Sequence, residues 1–130
     1  MIGQAQRCYV EKGLKNITYV RGDVGQLPFK DESIDWVLSM NGFHAFPDKE
    51  LAWNEITRVL KKGGVLVGCF YIQGKRPFAD FFIRHIYTRY GTFTAPFWSE
   101  ADILERLNKQ YIVRHHGNRQ SIFYFKAEKR

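Results

Sequence analysis

Cysteine is scarce in this chain of 130 residues: Cys8 and Cys69 stand far apart, without metal-ligand spacing. That excludes a disulfide scaffold and a cysteine-built zinc site, and it predicts two reduced thiols in a cytoplasmic protein. No apolar run is long enough for a membrane-spanning helix, and no membrane partner is expected. Residues 1–10 carry no apolar stretch behind a basic flank, so no secretory signal is expected either. Lys and Arg never cluster in blocks longer than two, although the net charge is +7. A nucleic-acid partner is therefore not expected, and the excess charge reads as a solvated basic surface. Internal repeats and low-complexity segments are absent.

What is present fits one soluble globular domain. Apolar residues make up 45% and charged residues 25% of a chain long enough for a single core. Aromatics reach 16% and gather in the second half, so a core or binding surface there should be ring-lined.

Residues 1–12 place Met1, Ala5 and Cys8 or Tyr9 on one helical face, with Gly13 as a stop. Ile17–Arg21 is a short β-branched and aromatic run that predicts a buried strand. Gly22–Ser33 reads as a loop, and Ile34–Ser39 as a second strand. Asp48 can cap a helix to about Leu60, with Leu51, Ala52, Ile56, Val59 and Leu60 as its apolar stripe. Lys61 and Lys62 follow, where the helix dipole favours cations, and Gly63-Gly64 ends the helix. Val65–Ile72 is the strongest strand signal and reads as buried on both faces. Strand, helix and strand in this order suggest parallel βαβ units.

Phe78–Tyr87 is rich in rings at helical spacing, and Thr92–Trp98 reads as a turn-rich aromatic linker. Ser99 can cap a helix over Glu100–Leu107. Strands are expected at about Tyr111–His115 and Ser121–Ala127, with Asn118 in the hairpin connection.

Several short pieces in order resemble class I S-adenosylmethionine (SAM)-dependent methyltransferases of the type 11-like small-molecule group. They are Asn16-Ile17, Gly22-Asp23-Val24, Leu27-Pro28-Phe29, Asp31-Glu32-Ser33-Ile34-Asp35 and Val37. Gly42-Phe43-His44, Glu55-Ile56 and Arg58-Val59-Leu60-Lys61-Lys62-Gly63-Gly64 follow. Each is weak alone; together, over about Asn16 to Phe70, they are specific.

The resemblance implies a Rossmann-like fold that binds its ligand beyond the carboxyl ends of the parallel strands. It places Asp23 at the adenine amino group and the Val24 backbone at the ring edge; the alternative is an aspartate capping its own turn. Ser39, Met40 and Asn41 would line the methionine end of SAM, although Met40 also suits plain core filling. His44 is the candidate catalytic residue: a neutral imidazole there could take a proton from an attacking hydroxyl or amine. A lone loop histidine is also a common structural hydrogen-bonder. Methyl transfer to a good nucleophile can proceed on alignment and desolvation without a dedicated base. Asp35, Glu55 and Arg58 read as structural partners. Phe78–Trp98 would be either a ring-lined acceptor pocket or a hydrophobic helix packing on the domain or on another chain.

The family's opening strand, Gly-rich turn and helix, and its second strand ending in an acid, have no counterpart in this sequence. The expected fold is thus an incomplete α/β methyltransferase domain: a mostly parallel sheet lacking its first two strands, with a C-terminal antiparallel hairpin. Its parts are a core over residues 1–72, an aromatic cap-like insertion over 73–98, and a helix and hairpin over 99–130. In the family's strand order, 3-2-1-4-5-7-6, the lost strands lie between the first two found here. Bare strand edges then favour a homodimer or swapped assembly. The implied function is methyl transfer from SAM to a small-molecule acceptor, impaired or absent in a chain without the Gly-rich segment. A tRNA or RNA methyltransferase fragment and a non-catalytic dimerising module are the alternatives.

Overall fold

The computed structural model describes residues 13, 15–91 and 93–130, so the helix expected over residues 1–12, and Cys8 with it, lies outside the described residues. The elements are β1 (Ile34–Met40), α1 (Lys49–Val59), β2 (Leu60–Tyr71), α2 (Pro77–Phe82), a π-helical turn (Ile83–Tyr87), α3 (Glu100–Gln110), β3 (Tyr111–Arg119) and β4 (Ile122–Lys129).

Helix α1 starts where expected, because the Asp48 carboxylate accepts from the Leu51 N–H at 2.9 Å. Its buried side chains are Lys49, Ala52, Trp53, Ile56 and Val59. Leu51 is exposed and Trp53 takes its place, so the buried stripe is rotated from the expected one. Helix α3 opens with a capping box between Ser99 and Asp102 and runs to Gln110, three residues past the expected Leu107.

The strands form one four-stranded sheet in the order β1-β2-β4-β3. That is the order expected for the last four strands of the series. Only β1 and β2 are parallel, joined through α1 as a βαβ unit; β4 runs antiparallel to both β2 and β3. The expectation of a mostly parallel sheet is therefore corrected: the parallel strands expected beyond β1 are not among those described, and the hairpin supplies half the sheet.

The strand expected at Ile17–Arg21 does not form, and Ile17 and Val20 are exposed. A β-prone run needs a neighbour to take its backbone hydrogen bonds, and β1 pairs only with β2 among the described residues. Asn118 is also not in the hairpin connection: it sits within β3 opposite Phe123, and Gln120-Ser121 make the turn. The inward alternation of Phe123, Phe125 and Ala127 sets this register.

One face of the sheet carries the core. Phe43, Trp53, Phe70, Trp98, Tyr111, Phe123 and Phe125 are buried together with Leu66, Ile103 and Leu107, between the sheet and helices α1 and α3. Gly68 is small for a reason: a Cβ there would lie 2.6 Å from the Phe125 ring on the paired strand.

No described residue outside the sheet covers the opposite face. Leu38 and Met40 are each 67% exposed, Trp36 is exposed beside them, and Val67 and Cys69 are half-buried. β2 is thus fully buried on one face only, which corrects the expectation of two. Met40 is surface, and the core-filling alternative for it does not hold.

Candidate functional site at the carboxyl ends of β1 and β2

The chain leaves β1 at Asn41, whose N–H donates to Cys69 O at 2.7 Å and extends the ladder one residue past the strand. Asn41 adopts φ 54°, a left-handed conformation that asparagine tolerates and that turns the backbone off the sheet. Gly42 follows in a crowded spot: a Cβ would sit 2.7 Å from the Phe46 ring and 2.9 Å from Ser39 Oγ. This tight turn drives Phe43 into the core, where its ring lies 5.2 Å from Phe70 and 5.6 Å from Trp53. His44 is then left at the carboxyl edge of the sheet.

His44 stacks on Phe93, with ring centroids 4.4 Å apart. Phe93 in turn meets the edges of Tyr71 and Tyr87 at 5.4 and 6.1 Å. The result is a cluster of packed rings that joins the loop after β1, the end of β2, the helical arm and the 93–98 linker. His44 Nδ1 is buried and has no hydrogen-bond partner among the described residues. Burial first, and the charge of Lys49 second, lower the His44 pKa below the ordinary histidine value, so the imidazole is neutral at physiological pH.

Sequence reasoning missed Lys49. Its side chain is buried, and Nζ donates to Thr94 O at 2.5 Å and to Thr94 Oγ1 at 2.7 Å. The Thr94 hydroxyl donates onward to Phe46 O at 2.5 Å, and the Thr94 N–H donates to His44 O at 2.9 Å. One lysine therefore fastens the aromatic linker across the His44 loop. The available signal was a cation at the first position of a helix, where the macrodipole disfavours it unless another interaction holds it.

Asp23 and Val24 belong to a second loop, which approaches the first turn of α1 where a Cβ at Gly25 would lie 3.4 Å from Leu51. Asp23 is exposed and caps its own turn: Oδ1 accepts from the Gly25 N–H at 2.8 Å, and its carbonyl accepts from the Gln26 N–H at 3.0 Å. An ionised carboxylate has about four acceptor sites, so this turn leaves capacity for another donor. Val24 packs against the core.

The loop is held by Arg58. Its guanidinium grips both oxygens of Glu55 at 2.7 Å, Asp31 at 2.6 Å and the carbonyls of Phe29 and Leu27. Glu55 also accepts from the Leu27 N–H at 2.8 Å. Asp35 pairs with Lys61 at 2.7 Å. All three behave as the structural partners expected.

Ser39, Met40 and Asn41 thus lead directly into the His44 ring cluster, while Asp23 and Val24 lie on a separate loop beside the first turn of α1. The groove between α1 and α3 that includes Glu50, Asp102 and Arg106 contains none of these residues; its charges are spent on each other, as in Arg106–Glu50 at 2.5 Å.

Compared with known proteins, residues 1–68 match the methyltransferase domain family. The chain belongs to that family. Its fold is that of the class I SAM-dependent methyltransferases, as the strand order indicates. Among curated relatives, an uncharacterized methyltransferase YcgJ of Bacillus subtilis (strain 168) is 31% identical over 86 residues, covering 66% of this chain and 34% of that protein. Demethylmenaquinone methyltransferase of Staphylococcus haemolyticus (strain JCSC1435) is 38% identical over 85 residues, 65% of this chain and 34% of that one. Among solved structures, a SAM-dependent methyltransferase from Aquifex aeolicus superposes with a TM-score of 0.69 at 17% identity, over 98% of this chain and 63% of that one. This methyltransferase-family chain therefore spans about a third of the length of the curated relatives it matches.

The described residues fit one side of a SAM site. Asp23 keeps spare acceptor capacity beside Val24, as an adenine amino group would require. Ser39–Asn41 present an exposed strand end, and Gly42 keeps the turn beneath it clear. The glycine-lined approach for the cofactor's centre and the acid for its ribose have no counterpart in the sequence.

Proposed function

We propose that this chain forms the acceptor side of a SAM-dependent methyltransferase acting on a small molecule. The observation that carries the reading is the buried Nδ1 of a neutral His44, without a hydrogen-bond partner among the described residues, in the ring cluster at the carboxyl ends of β1 and β2. A buried polar atom without a partner is costly, and such atoms gather where a ligand completes them. When bound, SAM supplies an electrophilic methyl group on a sulfonium. Beside His44, the rings of Phe93, Tyr71 and Tyr87 exclude water and pack the acceptor, while His44 Nδ1 accepts the proton that its hydroxyl or amine releases. Asp23, Val24, Ser39, Met40 and Asn41 hold the cofactor from one side.

On this reading, SAM binding by the isolated chain is impaired, because each lost hydrogen-bond partner costs about 1–3 kcal/mol. Among the described residues β1 has a free edge and the face beside it is uncovered, which favours a homodimer or swapped assembly, or pairing with another chain along that edge. The relative named for demethylmenaquinone supports a small-molecule acceptor in preference to a nucleic acid.

Calorimetric titration of SAM and S-adenosylhomocysteine into the chain, with its mass measured in the same buffer, tests the reading. Binding that His44 and Asp23 substitutions weaken supports it, and a dimeric mass supports the assembly. Absence of binding at millimolar ligand, in monomer and dimer alike, sinks the proposal that these residues form a cofactor wall.

A further inference from the structure

The helical arm after β2 presents its side chains the wrong way round for a water-facing helix. Phe78, Phe81, Phe82 and Ile86 recur at the three- and four-residue spacing that places them on one face. That face points to solvent, with Phe78 85%, Phe81 58% and Phe82 50% exposed. The other face is fastened to the domain. The Asp80 carboxylate accepts from the Tyr71 hydroxyl and from the Gly74 N–H at 2.9 Å, and Ile83 and Thr88 are half-buried. The polar anchor is inside and the phenylalanines are outside.

Charge completes the picture. Across residues 73–98, Lys75, Arg76, Arg84 and Arg89 stand against Asp80 alone, and Asp80 is turned inward. Lys75 pairs with Glu100, but Arg84 and Arg89 have no carboxylate within salt-bridge distance among the described residues. An outward apolar stripe flanked by uncompensated arginines, on a chain of net charge +7, matches a surface that is apolar below and anionic above.

We propose that the arm Pro77–Tyr87 docks this chain on an anionic lipid surface, with the phenylalanine stripe in the acyl boundary and Arg84 and Arg89 at the headgroups. The expectation of no membrane partner rested on the lack of a spanning run, and an interfacial helix needs none. A second copy is a poor occupant, because it would bring two cationic arms together. Docking also orients the domain. The arm leaves the carboxyl end of β2, and its Tyr87 packs on the Phe93 that stacks on His44, so the His44 ring cluster lies beside the docked surface.

Co-sedimentation of the full chain with vesicles tests this, comparing phosphatidylcholine alone with phosphatidylcholine plus phosphatidylglycerol. Binding is expected to the mixed vesicles and to fall with added salt. Phe81→Ser and Phe82→Ser should each weaken it about tenfold with no change in charge. Arg84→Gln and Arg89→Gln should each weaken it about fivefold and flatten the salt dependence. Because all four side chains are exposed, the variants should melt like the parent. No binding to mixed vesicles overturns the proposal. So does binding that the Phe variants leave intact, or a concentration-dependent dimer that they abolish without vesicle binding.

Discussion

Replacing Lys49 with methionine separates the tertiary role of this lysine from its electrostatic one. Methionine keeps the length and apolar stem but removes the donors to Thr94 O and Thr94 Oγ1. Hydrogen bonds from a charged donor contribute about 1.5–3 kcal/mol each. Against that loss stands the desolvation of the ammonium, which lowers the Lys49 pKa below the ordinary lysine value and is relieved in the variant. Loss of two such bonds, partly offset, leaves a net destabilisation of about 2 kcal/mol, or a melting temperature lower by roughly 5–10 °C. The second consequence is local. Lys49 is one of the two causes that depress the His44 pKa, so removing it should raise that pKa toward the ordinary histidine value, while burial still holds it below. Urea denaturation with circular dichroism reads the first effect, and an NMR titration of the His44 ring reads the second. A variant as stable as the parent, with an unmoved His44 titration, would refute the assignment of Lys49 as the fastening between linker and loop.

Gly68→Ala places a methyl group within 3 Å of the Phe125 ring and should cost about 1–3 kcal/mol, measured by chemical denaturation. Tyr111, buried and bonded to Thr57 at 2.6 Å, has its pKa pushed up to about 12 by burial. The folded state then holds this proton more tightly than the unfolded chain, so stability is intact below the ordinary tyrosine pKa and falls as pH rises toward 12. Tyr111→Phe should shrink that alkaline loss in a pH series of melting curves; an unchanged series would contradict the assignment. Glu55 is held down at about 2, first by its hydrogen bond with Arg58. Its contribution is present above the ordinary glutamate pKa and disappears as pH falls through about 2, and Glu55→Gln should speed hydrogen exchange at the Leu27 amide about tenfold at neutral pH.

Much of the fold was legible because it is local chemistry. Asp48 and Ser99 cap their helices by side chain–backbone bonds that span three residues. The β-rich run after Gly64 became the central strand. Errors arose where a partner distant in sequence decides the outcome. Ile17–Arg21 has strand composition but joins no sheet among the described residues, and Asn118 looks like a turn residue until the Phe123–Phe125–Ala127 alternation pulls it into β3. Of the candidate site, Asp23, Ser39–Asn41 and His44 could be named from a sequence resemblance. Lys49, Thr94 and Phe93 could not, because what joins them is a contact between residues 45 positions apart.

The sequence by itself determined the family, the helix starts at Asp48 and Ser99 and the absence of the Gly-rich turn. Those follow from residue order, from caps and from composition, which act over a few positions. The tertiary structure alone decided, among the described residues, that the sheet is chiefly antiparallel, that one of its faces is uncovered, that the phenylalanines of the arm point outward and that His44 Nδ1 is buried without a partner. Each of these depends on which distant surfaces meet, and burial is a property of the whole packed chain that no local stretch carries.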